Sequence, residues 1–148
     1  MTKKHPDCIH SSFENDHLIE IRDSPLQRSL FFDSQHLQSA MSFLDPEELV
    51  LSYTRFMLLG LLIIPEPENI LIIGLGSGSF VRFFNHHYPR SHIDGVEYSQ
   101  HIIDLARGYF RLPEGPNITI SCTDGAQFVR DRTSKQYDLI LVDAFDAE

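Results

Sequence analysis

The sequence predicts an α/β fold: a parallel sheet of about four strands, incomplete on one side, behind a small N-terminal β-hairpin. Three observations carry that expectation. Ile70, Leu71, Ile72 and Ile73 form a short continuous apolar run, as in a parallel strand buried on both faces, and the run stops at a turn where Gly74, Gly76 and Gly78 alternate with Leu75, Ser77 and Ser79. Later strand-like runs end at acids: Glu97, Asp124 and Asp143. Upstream, residues 18–22 and 27–32 are strand-like runs separated by Asp23, Ser24 and Pro25, the chemistry of a hairpin turn.

Composition sets the class. With 148 residues, 42% hydrophobic and 22% charged, the chain has the makeup of an ordinary globular domain and enough length for one core. A formal charge of −9 leaves no basic stripe to displace counterions from a phosphate backbone, which argues against a nucleic-acid partner and suits a cationic small-molecule substrate. Cys8 and Cys122 make no disulfide framework, and the N-terminus lacks the apolar segment of a signal peptide. The longest apolar stretch, residues 56–64, is too short to span a bilayer, so a cytoplasmic protein without membrane contact is expected. The histidines show no HExxH or paired-cysteine spacing, so no metal site is predicted, and the adjacent His86 and His87 read as a solvated helix end.

Taken in order, residues 1–16 are polar, carry Pro6 and show no period, and are expected to form a disordered tail. Residues 17–44 hold the hairpin. Residues 45–148 are expected to form a partial nucleoside-binding domain. That domain opens with Asp45 as an N-cap, Pro46 at the first helical position and Glu47 and Glu48 in the first turn. Leu49, Val50, Tyr53, Phe56, Met57 and Gly60 recur at helical spacing, which predicts a helix to about Leu62, before Pro65 and Pro67. From that pattern alone, Tyr53 reads as a core residue.

After the glycine turn, Phe80, Val81, Phe84 and Tyr88 fall at helical spacing up to Pro89. The N–H groups opening that helix face the turn, where they can bind polar ligand atoms. Glu97 closes the next strand near the separation of about 20 residues at which such units set a carboxylate beside a ribose. Ser79 stands where the dinucleotide fingerprint GxGxxG has its third glycine, so the GxGxG pattern suits an adenosyl-sulfonium ligand better than a dinucleotide.

Beyond Ser99, a candidate N-cap, Ile102, Leu105, Ala106 and Tyr109 form a packing stripe. Ile118, Ile120 and Cys122 alternate with Thr119 and Ser121 in a third strand. Asp124 then caps a short helix to Arg130, and its place at a strand's end also sets it on the ligand side of the sheet. The run YDLILV, residues 137–142, is a fourth strand that delivers Asp143 and Asp146 to one edge. A carboxylate there can orient an attacking amine, accept its proton or hold a cation.

Over roughly residues 17–148 the chain resembles the polyamine aminopropyltransferases typified by spermidine synthase, in particular their divergent bacterial spermidine synthase-like members. The resemblance rests on LIIGLGSGS for the glycine turn, VEYS for the ribose-binding acid, TDGAQF for the adenine-side aspartate and YDLILVDAFD for the catalytic loop. It implies a Rossmann-like sheet of the S-adenosylmethionine-dependent methyltransferase type, and transfer of an aminopropyl group from decarboxylated S-adenosylmethionine to an amine acceptor without a metal. By position it implies donor contacts from Gly74, Gly76, Ser77 and Gly78, a ribose contact from Glu97, and adenine contacts from Asp124 and Gly125. It makes Asp143 the activator of the amine and Tyr53 the active-site tyrosine, with Asp146 and Gln38 on the amine substrate.

The chain departs from that family in several places. Ser77 stands where the family has an aspartate for the aminopropyl ammonium, Ser99 where an acid often follows the ribose ligand, and Thr54 and Arg55 where histidine and glutamate usually follow the tyrosine. The family continues past the catalytic loop whereas this sequence stops at Glu148, so a truncated product with an open fourth strand is expected, with marginal stability or a homodimer as the consequence. Two alternatives stay open. One is methyl transfer from intact S-adenosylmethionine, favoured by Ser77, which relieves repulsion against the methionine carboxylate, and disfavoured by the apolar Ile72 where many methyltransferases carry an acid. The other is a non-catalytic fragment that keeps an adenosyl pocket without an acceptor site.

Overall fold

The computed structural model describes residues 5–132 and 136–144. Strands β1 (Cys8–Glu14), β2 (His17–Asp23), β3 (Gln27–Phe32) and β4 (His36–Ser42) form an antiparallel sheet in that order. Strands β5 (Asn69–Ile73), β6 (His92–Glu97), β7 (Ile118–Cys122) and β8 (Leu139–Val142) form a parallel sheet in the order β7-β6-β5-β8. Helices α1 (Ser52–Met57), α2 (Ser79–His87), α3 (Gln100–Tyr109) and α4 (Gly125–Asp131) lie between the strands, and a 3₁₀ turn over Leu58–Leu62 extends α1.

Residues 8–14 form a strand, against the expectation of a disordered tail over 1–16. Strand β1 pairs with β2 from Cys8 opposite Arg22 to Glu14 opposite His17. Its apolar residues face outward, with Ile9 42% and Phe13 69% exposed, so the sequence carries no buried apolar alternation. Its other face is polar and bonds to α3 and its N-cap. Ser12 Oγ lies 2.8 Å from His101 Nε2 and 3.1 Å from His10 Nε2, and the Ser99 hydroxyl donates to the Glu14 carboxylate at 2.7 Å. The hairpin of β2 and β3 is present as expected and grows on both sides into four strands. Asn15 and Asp16, both at positive φ, make the two-residue turn before β2.

The helix expected from Pro46 begins only at Ser52. The intervening backbone is committed elsewhere: the Pro46 carbonyl accepts from Arg82 Nε at 2.8 Å and the Leu49 carbonyl from Arg55 Nε at 2.7 Å. Leu49 itself is buried in the main core.

Strand β5 is buried on both faces, as its unbroken apolar run requires. Ile70 and Ile72 pack with Val81, Phe84, Ile103 and Ala106, while Leu71 meets Val96 and Phe128 on the opposite face. Helix α3 serves both sheets, since Ile102 and Leu105 pack against Ile19, Ile21, Leu30 and Met41 of the antiparallel sheet. In the parallel sheet, Ile73 lies opposite both Val96 and Val142, which brings the carboxyl ends of β5, β6 and β8 level. Strands β7 and β8 are the two edges among the described residues, and on β8 Ile140 is 52% and Val142 60% exposed.

Candidate active site

The glycine turn follows β5. Gly74, Gly76 and Gly78 all take positive φ, at +91°, +53° and +80°. At Gly74 the need is doubled, because a Cβ there would lie 2.6 Å from the Asp143 carbonyl carbon. The turn therefore touches the backbone that carries Asp143. Gly78 is the N-cap of α2, so the helix start opens into the turn as expected.

Glu97, at the end of β6, is held by two backbone donors. Leu75 N–H reaches its Oε2 at 3.0 Å and Ser99 N–H its Oε1 at 3.1 Å. Each carboxylate oxygen keeps a free lone pair, so the group can still accept from a diol. Asp124 follows β7 and caps α4, its Oδ1 accepting from Gln127 N–H at 2.8 Å. Gly125 packs on β5: a Cβ there would lie 2.5 Å from Ile73 Cγ2.

Asp143 follows β8, and its amide donates to the Ile73 carbonyl at 2.8 Å. The Tyr53 hydroxyl, from the first turn of α1, donates to Asp143 Oδ2 at 2.9 Å. Tyr53 is thus 38% exposed and bonded to Asp143, where helical spacing alone reads it as core. Burial pushes the Asp143 carboxyl above its ordinary range, and the bond from Tyr53 draws it partly back. Burial, then the Asp143 charge, pushes the Tyr53 hydroxyl upward, so Tyr53 stays a proton donor to the carboxylate. Thr54 and Arg55 turn away: Thr54 Oγ1 donates to the Leu51 carbonyl, and Arg55 bonds Leu49 and Glu48.

Ser77 is fully buried, and its hydroxyl faces Ser39, Ser79 and Arg82. Ser39, on β4, reaches from the antiparallel sheet to the turn, accepting from Ser77 N–H at 3.3 Å. Gln38 precedes it on β4 and is half-buried. Asp146 lies outside the described residues.

Sequence reasoning missed Arg82. The side chain is only 4% exposed, and its guanidinium donates to the carbonyls of Pro46, Ser77 and Phe110 and to the hydroxyl of Ser79. Among the described residues no carboxylate pairs with it. Burial pushes its pKa down to about 10, with Glu47 opposing and Arg111 adding to the fall, so it remains a cation at neutral pH. The available signal was an arginine between Val81 and Phe83 in an otherwise apolar stretch of helix. Among the described residues no group of three or more His, Cys, Asp or Glu is arranged to hold a metal, and no helix is long and apolar enough to cross a membrane.

Residues 51–148 match the Spermine/spermidine synthase domain family, and the chain belongs to it. A polyamine aminopropyltransferase of Chromobacterium violaceum is 42% identical over 129 residues, covering 86% of this chain and 49% of that protein. The chain spans about half the length of the curated relatives it matches. Among solved structures, a probable spermidine synthase from Corynebacterium glutamicum superposes with a TM-score of 0.80 at 22% identity, covering 94% of this chain and 53% of that one. Human methyltransferase-like protein 13, in complex with SAH, superposes with a TM-score of 0.59 at 25% identity over 65% of this chain and 49% of that one. The fold is therefore Rossmann-like and of the methyltransferase type.

Proposed function

We propose that the chain carries the donor side of an aminopropyltransferase acting in the cytoplasm on a small amine. The observation that carries this reading is the Tyr53 to Asp143 hydrogen bond of 2.9 Å beside the Gly74 turn, an uncharged donor holding a half-buried carboxylate next to an adenosyl-type site. The donor is decarboxylated S-adenosylmethionine, its ribose hydroxyls donating to Glu97, its adenine on the side of Asp124 and Gly125, and its sulfonium at Gly74 and Gly76. Asp143 accepts a hydrogen bond from the incoming amine and so turns the nitrogen lone pair toward the carbon beside the sulfonium. A C–N bond forms, the C–S bond breaks with its electron pair going to sulfur, and methylthioadenosine leaves as a neutral thioether. The proton shed by the new ammonium passes to Asp143, whose raised pKa makes it a better acceptor than an exposed aspartate. Positioning supplies most of the rate. Gln38 and Asp146 belong to the acceptor side of this reading.

One observation favours a second reading, methyl transfer from intact S-adenosylmethionine. The buried Arg82 beneath the turn has only neutral acceptors, and Ser77 supplies no charge, so the donor end is electropositive and suits a carboxylate. Calorimetric titration with the decarboxylated and the intact donor, side by side, tests both. Preference for the decarboxylated form upholds aminopropyl transfer, and preference for the intact form replaces it with methyl transfer. Binding of neither leaves a non-catalytic fragment.

A further inference from the structure

A cleft of about 270 Å³ lies between the loop before α1, helix α2 and the segment after α3, with neither Asp143 nor Tyr53 in its lining. Its walls carry Glu47, Arg82, Asn85, His86 and Arg111. Two guanidinium groups thus meet one carboxylate, in a chain whose formal charge is −9. Arg111 adopts φ +53°, a left-handed conformation uncommon for a residue with a Cβ, and among the described residues its side chain makes no hydrogen bond or ion pair. Arg82 forms the floor with its charge balanced by no bonded carboxylate. A concave, cation-rich wall with a strained, unpaired arginine at its rim matches what an anion requires.

We propose that this cleft is a second binding site, distinct from the adenosyl site, for a small oxyanion bearing a phosphate or carboxylate group. Arg111 grips the anion, Asn85 and His86 add donors, Arg82 supplies fixed charge from below, and Glu47 opposes and limits the affinity. Because Arg82 also donates to the Ser77 carbonyl, an occupied cleft is joined through one side chain to the glycine turn. The site stands whichever group the enzyme transfers.

The test is calorimetric titration of the chain with inorganic phosphate, and separately with acetate, at ionic strength held constant with sodium chloride. Saturable binding of phosphate alone assigns a phosphoryl ligand, and saturable binding of both assigns a carboxylate-tolerant one. Arg111→Gln, an exposed change, is expected to weaken binding about tenfold without altering the melting temperature of the free chain. Glu47→Gln is expected to tighten it several-fold, an effect that loss of structure does not mimic. No saturation by either ion, an affinity unchanged in Arg111→Gln, or weaker binding in Glu47→Gln overturns the proposal.

Discussion

Alanine at Gly74 tests the join between the glycine turn and the strand that carries Asp143. Gly74 sits at φ +91°, and a Cβ there would lie 2.6 Å from the Asp143 carbonyl carbon and 3.0 Å from the Ala144 nitrogen. Both atoms are backbone, so no rotamer change relieves the overlap. A left-handed residue with a Cβ costs about 1–2 kcal/mol. Forcing the segment after β8 outward costs about 1–3 kcal/mol more as overpacking. It also breaks the 2.8 Å bond from the Asp143 amide to the Ile73 carbonyl, worth about 1 kcal/mol. The sum is about 4 kcal/mol, or a fall of about 12 °C in Tm at about 3 °C per kcal/mol for a chain of this size. The control is the same substitution at Gly108, on the exposed side of α3, where a Cβ meets nothing within 4 Å. Gly108→Ala is expected to gain about 0.5–1 kcal/mol from helix propensity. Guanidinium unfolding of both variants in one buffer reads the two signs. A Gly74→Ala variant within about 1 kcal/mol of the parent refutes the reasoning, because the φ term alone reaches that size.

Further substitutions extend the argument. Phe84→Ala empties a fully buried position in the main core and is expected to cost about 3–5 kcal/mol in the same unfolding assay. Burial holds the Asp143 carboxyl above its ordinary value of 3.8, so the native state keeps a proton the unfolded chain has already released, and stability falls as pH rises from that value. Asp143→Asn removes this fall, which denaturation midpoints taken at several pH values will show. Asp23 behaves oppositely: bonds from Arg28 of 2.7 and 2.8 Å hold its carboxyl below 3.8, so their contribution is present above that pH and is lost as the pH drops through the folded value. Asp23→Asn is expected to cost about 0.5–1 kcal/mol at neutral pH, the pair being partly exposed, and to flatten the acid limb of exchange protection in β2 and β3. Ser77→Asp gives Arg82 a counter-ion and is expected to move donor preference about tenfold toward the decarboxylated form, read as a ratio of calorimetric affinities.

The parallel half is legible in the sequence because its signals are local. The apolar run before Gly74, and Glu97, Asp124 and Asp143 as strand-end acids, need no tertiary knowledge to place them on one edge. Strand β1 escapes because His10, Ser12 and Glu14 are matched to polar partners on α3 and its N-cap, far away in sequence, so hydropathy carries no trace of the pairing. The helix start at Pro46 fails for a similar reason, since Arg82 claims the Pro46 carbonyl from a distant helix. Tyr53 shows the limit of periodicity, because its helical spacing reports which face it occupies and not that Asp143 waits beneath its hydroxyl. Ser39 joins the two halves of the molecule, and Arg82 ties the loop before α1 to the glycine turn and to the residue after α3, contacts invisible to any window read along the chain.

Ser39 makes the parallel half a poor travelling module. The serine on β4 completes the hydrogen bonding of a turn that belongs to the other sheet. A recombination event that moved residues 45–144 onto a foreign partner would carry the glycine motif, the acids and the tyrosine intact. It would still strand the Ser77 amide without its acceptor, at about 1–3 kcal/mol for a buried orphaned group. The antiparallel sheet acts as a mould against which the glycine turn is cast, and a chimaera keeps the Ser77 amide bonded where its new sheet offers an acceptor at that register.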